Sequence, residues 1–137
     1  MNLMNKVANF LVGKLGLNLQ GAMVLTVRGR KSGEPRSVVV NPLELNGKTY
    51  LMSPRGETQW VKNLRADNNL TLHRGASRSG HRATEVTDAD EKFAVLRTYL
   101  DRWSMQVKGL MGVSKESSDD ELRAIIDAHP VFELQRA

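Results

Sequence analysis

The segment that most limits the fold runs from Ala22 to Ser53. Two strand-forming runs, Ala22–Val27 and Ser37–Leu45, bracket a short basic loop, and a third, Lys48–Ser53, follows the turn Asn46-Gly47. Runs rich in Val, Leu and Thr favour extended, pleated backbone, and Asn-Gly is the strongest two-residue hairpin signal. These features predict a β-meander in the first half of the chain. Asn41-Pro42 interrupts the second run; proline has no N–H for a ladder, so the pair marks an edge or a bulge. The basic loop, Arg28 to Arg36, gathers Arg28, Arg30, Lys31, Ser32 and Arg36 around Gly29, Gly33 and Pro35. Such a loop can aim several donors at one anion, because the planar arginine fork makes paired, charge-assisted bonds to phosphate or carboxylate. The competing reading is a solvated hairpin loop whose charges only keep the strands soluble. It is not a Walker loop, since Ser37-Val38-Val39-Val40 follows where a helix is required.

Further along, Ser53-Pro54-Arg55-Gly56-Glu57-Thr58 forms a second polar loop with a cation, followed by a short helix over Gln59–Ala66 with Trp60, Val61 and Leu64 apolar. Leu70–Arg74 and Arg82–Val86 read as strands across a turn at Gly75–Gly80. Asp88–Trp103 is a helix, capped by Thr87 or Asp88, with Phe93, Leu96, Leu100 and Trp103 on one face. Ser104–Lys115 is either a lid over a pocket or a packed connection. Ser118 and Glu121 form a capping box that opens a helix over Ser118–Ala128, which Pro130 stops. Val131–Leu134 is a last strand. About six mostly antiparallel strands with peripheral helices predict an α+β fold, a closed or partly closed barrel. Ahead of it, residues 1–16 form an amphipathic helix with Leu3, Val7, Phe10, Leu11 and Leu15 on one side. It packs on the domain or lies on an acidic membrane surface. The division is therefore residues 1–16 and a domain over residues 17–137.

Composition narrows the function. The 137 residues carry a formal charge of +5, which predicts an anionic partner. Aromatic residues are only 5%, too few for the stacked-base mode of nucleic-acid binding, so no nucleic acid is expected. The chain has no cysteine, and its three histidines are not at ligand spacing, so no metal centre is expected. Without a long apolar run or a signal peptide, the expected location is the cytoplasm, extending to the inner face of the cell membrane if the first helix binds lipid. No triad or paired-carboxylate motif assigns a catalytic residue. Tyr50, Tyr99, Ser53 and His73 stand as proton-donor candidates without a motif to choose between them. A bound redox cofactor can carry the difficult chemistry on such a barrel.

Three stretches, Gly29-Arg30-Lys31-Ser32-Gly33-Glu34-Pro35-Arg36, Ser53-Pro54-Arg55-Gly56 and Trp60-Val61-Lys62-Asn63-Leu64-Arg65-Ala66, resemble the deazaflavin-dependent nitroreductase family. The ending His129-Pro130-Val131-Phe132 resembles that family too, so the likeness covers most of the chain from about Val24. It implies a split β-barrel that binds coenzyme F-420, an 8-hydroxy-5-deazaflavin. It further implies that Arg30, Lys31 and Arg36, with the Ser32 hydroxyl, receive the phosphate and polyglutamate-bearing tail. Ser53, Arg55 and Gly56 would lie along the deazaflavin, while Trp60 and Asn63 border it. For Trp60 the competing role is an ordinary core anchor, and for Asn63 a helix-surface amide. The implied activity is hydride transfer from the reduced deazaflavin to a small electron acceptor: a quinone, an activated enone or a nitro compound. Two other functions compete on such a barrel. One is a non-enzymatic carrier of a lipid or tetrapyrrole-like anion; the other is an oxidoreductase using flavin mononucleotide (FMN). The resemblance implies a monomer or a homodimer.

Overall fold

Hydrogen bonding along the β-branched runs builds seven strands: β1 Met23–Arg28, β2 Pro35–Val40, β3 Leu43–Leu45, β4 Lys48–Met52, β5 Asn69–Arg74, β6 Ser77–Glu85 and β7 Val131–Arg136. They belong to a computed structural model that describes residues 21–137, the side chains at 105, 106 and 108 apart. The helix expected over residues 1–16 lies outside the described residues. All neighbours are antiparallel, in the order β2-β1-β5-β6-β7-β4-β3. The expected α+β split barrel is present as this single curled sheet with helices packed on it.

Two expectations need correction. The long second strand is two strands, so the described residues hold seven where about six were expected, and the meander is broken. β2 and β3 lie at opposite edges of the sheet, joined by a corner at Asn41-Pro42. Proline withholds a ladder donor and pushes the residue before it away from helical angles, so the chain turns out of one edge and starts the other. The turn expected over Gly75–Gly80 is only Gly75-Ala76, and β6 begins at Ser77, giving a full register with β5 from Arg74↔Ser77 to Asn69↔Arg82. Polar side chains on a strand that faces water on one side hid its start. Asn46 (φ 54) and Gly47 (φ 77) make the expected left-handed turn between β3 and β4.

The described residues hold three helices: α1 Gln59–Ala66, α2 Ala89–Met111 and α3 Asp119–Ile125, the last continued by one 3-10 turn, Ile126–Ala128. Asp88 caps α2 by accepting from the Glu91 N–H at 2.8 Å. α2 runs on through a break at Trp103 (φ −128, ψ 24), and Val107, Met111 and Val113 are buried. The segment Ser104–Lys115 is therefore a packed connection. At α3 both halves of the Ser118–Glu121 capping box are formed.

Two cores result. Leu25, Val27, Leu51, Leu70, Leu72, Phe132 and Leu134 fill the inside of the curl together with Trp60, Val61 and Leu64 of α1. On the outer face Leu43, Tyr50, Met52 and Val131 pack against Leu96, Tyr99, Leu100 and Trp103 of α2 and Leu122 of α3. β4 serves both, since alternate residues of a strand point to opposite faces.

Candidate active site

β2 is an edge strand, and its open side borders a cavity of about 590 Å³. Residues 36–41 form one wall, residues 29–32 of the β1–β2 loop one end, and residues 52–55 with the start of α1 the opposite wall. In an antiparallel pair the bonded residues alternate. The Gly29 N–H donates to the Glu34 carbonyl at 2.8 Å, so Arg36, Val38 and Val40 pair with β1, whereas Ser37 and Val39 turn their backbone polar groups to the open edge. The cavity thus combines cations, the outward-turned backbone groups of Ser37 and Val39, and the apolar side chains of Val38, Val40, Met52 and Trp60.

Eight of the nine residues expected at a binding site line it: Arg30, Lys31, Ser32, Arg36, Ser53, Arg55, Trp60 and Asn63. The β1–β2 loop is braced by its own short bonds. The Ser32 hydroxyl accepts from the Glu34 N–H at 3.1 Å and from Arg36 Nη2 at 3.2 Å, and the Gly33 N–H donates to the Gly29 carbonyl at 2.8 Å. A side chain at Gly29 would stand 2.9 Å from the Ser32 hydroxyl, so only glycine lets the loop close this tightly. Asn63 is 4% exposed, and its side-chain oxygen accepts from both the backbone N–H (3.1 Å) and Nη1 (2.8 Å) of Arg30. It is neither a surface amide nor a free acceptor; it fixes the direction of Arg30. Trp60 lines the cavity and also packs on Phe132, ring centroids 6.0 Å apart, so it is a core anchor with one face in the site.

The wall after β4 is held to the C-terminal segment. The fully buried Ser53 donates its N–H to the Pro130 carbonyl (2.9 Å) and its hydroxyl to the Gly56 carbonyl (2.7 Å), while its own carbonyl pairs with His129 Nδ1 at 3.0 Å. Gly56 stands behind the cavity rather than lining it. Its φ of +83 and a space in which a Cβ would meet the Ala128 carbonyl at 3.1 Å explain the glycine. Among the proton-donor candidates, Ser53 alone lines the cavity. Tyr50 donates to Glu91 at 2.6 Å on the outer face, with its pKa raised by burial and by that carboxylate, and His73 is buried away from the site.

Among the cavity residues not singled out as site residues from sequence are Asn41, read only as a strand interruption, and Thr58, which precedes α1. The signal for Asn41 was its place before proline, where a strand must end. The signal for Thr58 was only its place at the end of the second polar loop.

A curled antiparallel sheet of this order is the fold of the split-barrel flavin and deazaflavin oxidoreductases. A solved F-420-H2 dependent reductase (FDR-A) superimposes with a TM-score of 0.56 at 19% identity, covering 85% of this chain and 95% of that one. A domain-swapped dimer matches with a TM-score of 0.59 at 15% identity, over 96% and 92% of the two chains. A FAD-binding protein from Mesorhizobium loti matches with a TM-score of 0.52 at 14% identity, over 100% and 91%. These are likenesses of fold. Residues 3–114 match the F-420H(2)-dependent quinone reductase family, and the chain belongs to that family of F-420-dependent reductases. No curated protein matches the chain significantly. Among the described residues no helix is long and apolar enough to cross a membrane.

Proposed function

We propose that the protein transfers a hydride from reduced F-420 to a quinone, with activated enones and nitro compounds as further acceptors. The observation that carries this reading is the convergence of Arg30, Lys31, Arg36 and Arg55, from two separate loops, on one cavity with an apolar wall. Its volume lies within the range of cofactor sites, roughly 300–1,000 Å³. The residues fit the coenzyme: cations at one end for the phosphate and the acidic tail, aliphatic and indole faces for the ring, and backbone groups of Ser37 and Val39 for its polar edge. When bound, the reduced deazaflavin supplies a hydride from its C5.

The chain's own work is then positional. Asn63 points Arg30, and Ser32 points Arg36, so the anion is met by prearranged donors. Trp60, Val38 and Met52 exclude water from the face on which the acceptor must lie, and hold both reactants close. The amphipathic pattern of residues 1–16 supports a contact with an acidic membrane surface, where a lipid-soluble quinone would be met.

The test is oxidation of reduced F-420 followed by absorbance, with menadione, cyclohexenone and a nitroimidazole as acceptors. Turnover fastest with menadione is the expected result. No oxidation with any acceptor, or affinity for FMN equal to that for F-420, would overturn the reading.

A further inference from the structure

Buried polar atoms in folded proteins are nearly always paired, so those that are not call for a partner from outside. Six buried side-chain atoms among the described residues have none, and two of them, the Asn41 side-chain oxygen and the Thr58 hydroxyl, belong to residues lining the cavity. Asn41 sits at the corner between β2 and β3, five residues beyond Arg36. At about 3.3 Å per strand residue, that places it roughly 16 Å from the anion-binding end. No cation of the β1–β2 loop is near it in sequence, and its own side chain is neutral.

Behind Asn41, in the outer core, stands Tyr99 of α2, 3% exposed, with its ring 4.8 Å from that of Trp103. In this structure the Asn41 NH2 donates to the Tyr99 hydroxyl, which leaves the Asn41 oxygen as the unpaired atom, and burial pushes the Tyr99 pKa up, so this phenol stays protonated and can donate once the amide turns. An amide offers two orientations of nearly equal shape, with oxygen and nitrogen exchanged. With the nitrogen towards Tyr99, the oxygen is left over and needs a donor from the ligand. With the oxygen accepting from the Tyr99 O–H, the NH2 is left over and needs an acceptor. Quinones, enones and nitro compounds bring acceptor oxygens and no donors, so Asn41 can meet them only when its amide turns from the first orientation to the second.

We propose that Asn41 is an acceptor-binding residue of this enzyme, its side-chain NH2 donating to the carbonyl oxygen of the quinone, and that Tyr99 is a positioning residue that holds the amide in that orientation. The inference rests on the function proposed above. Hydride addition brings two electrons and one hydrogen to the quinone, one carbonyl oxygen takes up the negative charge, and a proton from water completes the quinol. The Asn41 N–H stays on nitrogen throughout; it stabilises the charge without giving up a proton. The site therefore divides by chemistry, with charged donors for the coenzyme at one end and a neutral donor for the acceptor at the other.

The experiment compares wild type, Asn41→Leu and Tyr99→Phe, each confirmed folded by circular dichroism. Three quantities are measured: kcat and KM for menadione with reduced F-420, the Kd of oxidised F-420 from its fluorescence, and the Kd of menadione for the coenzyme-free protein by equilibrium dialysis. Asn41→Leu is expected to lower kcat/KM for menadione roughly tenfold to a hundredfold, the scale of one hydrogen bond to a charged oxygen. Tyr99→Phe, which keeps the ring and frees the amide to turn, should lower it by a smaller factor, about threefold. In both, the F-420 Kd should stay within twofold of wild type. Unchanged kcat/KM in Asn41→Leu overturns the inference, as does unchanged kcat/KM in Tyr99→Phe or a loss that appears in the F-420 Kd instead. Wild-type protein that binds neither molecule overturns the function itself and this inference with it. Wild-type activity with insensitive variants overturns the inference alone.

Discussion

The two loops that wall the cavity are built on opposite plans. The β1–β2 loop leaves its donors in water, with Arg30, Lys31, Ser32 and Arg36 all exposed, and braces itself through Ser32, Gly29 and Gly33. Asn63 ties Arg30 to α1. The loop after β4 buries Ser53 and ties it to Pro130 and His129, while Gly56 lies under the Ala128 carbonyl. One loop presents charge and contributes little to stability, because exposed charges gain little from the fold. The other presents shape and is continuous with the core. On the function proposed above, anion recognition should be separable from stability, and the following variants test that separation.

The largest effect is expected from Gly56→Val. A β-branched residue at φ +83 beside the Ala128 carbonyl should destabilise the fold by roughly 3 kcal/mol, read as a shift of the urea midpoint. A midpoint that does not move would show that the second loop is as loosely held as the first. Arg36→Ala should do the reverse, weakening F-420 binding by about 1–3 kcal/mol, while the urea midpoint stays within the small range of surface substitutions. Its remaining affinity should depend less steeply on salt than that of wild type, since exposed charges are screened. Loss of stability matching the loss of affinity would break the comparison.

Asn63→Ala joins the two plans and should touch both. It removes two bonds from Arg30, costing about 1 kcal/mol in coenzyme affinity and a similar amount in stability. An effect on stability alone would show that Arg30 is not a coenzyme contact. The smallest effect concerns Glu85 on β6, which accepts two bonds from Arg65 of α1; Arg65 also reaches Glu57. The Arg65 guanidinium lowers the Glu85 pKa below the usual carboxylate range. A depressed acid contributes stability that is present at neutral pH and is lost as pH falls through its folded value. Glu85→Gln should therefore flatten the acid limb of stability against pH and leave coenzyme affinity unchanged. An acid limb as steep as that of wild type would remove Glu85 from this role.

Much of the site is legible in the sequence because its parts are local. The β1–β2 loop is nine residues of cations, glycines and a proline between two β-branched runs, and the capping box, the Asn-Gly turn and α1 are each decided within a few positions. Asn41 was legible only as a break in a strand. Its amide meets Tyr99 across 58 positions of chain, and no short-range pattern records that meeting. Asn63 was expected beside the coenzyme, yet its oxygen is occupied by Arg30, 33 positions away. Trp60 was posed as either core or site, and it is both, because the cavity opens at the rim of the inner core.

Sequence alone determined that most of the strands form and where the Asn-Gly turn falls, which loop concentrates positive charge, and which family the motifs resemble. These depend on backbone preference and on side chains a few residues apart. Tertiary structure decided that β2 and β3 part at a proline corner, that two loops converge on one cavity, and that α2 reaches that cavity through Asn41. The reason is physical: burial of apolar faces sets the curl of the sheet, and only the curl brings distant polar groups within hydrogen-bonding reach.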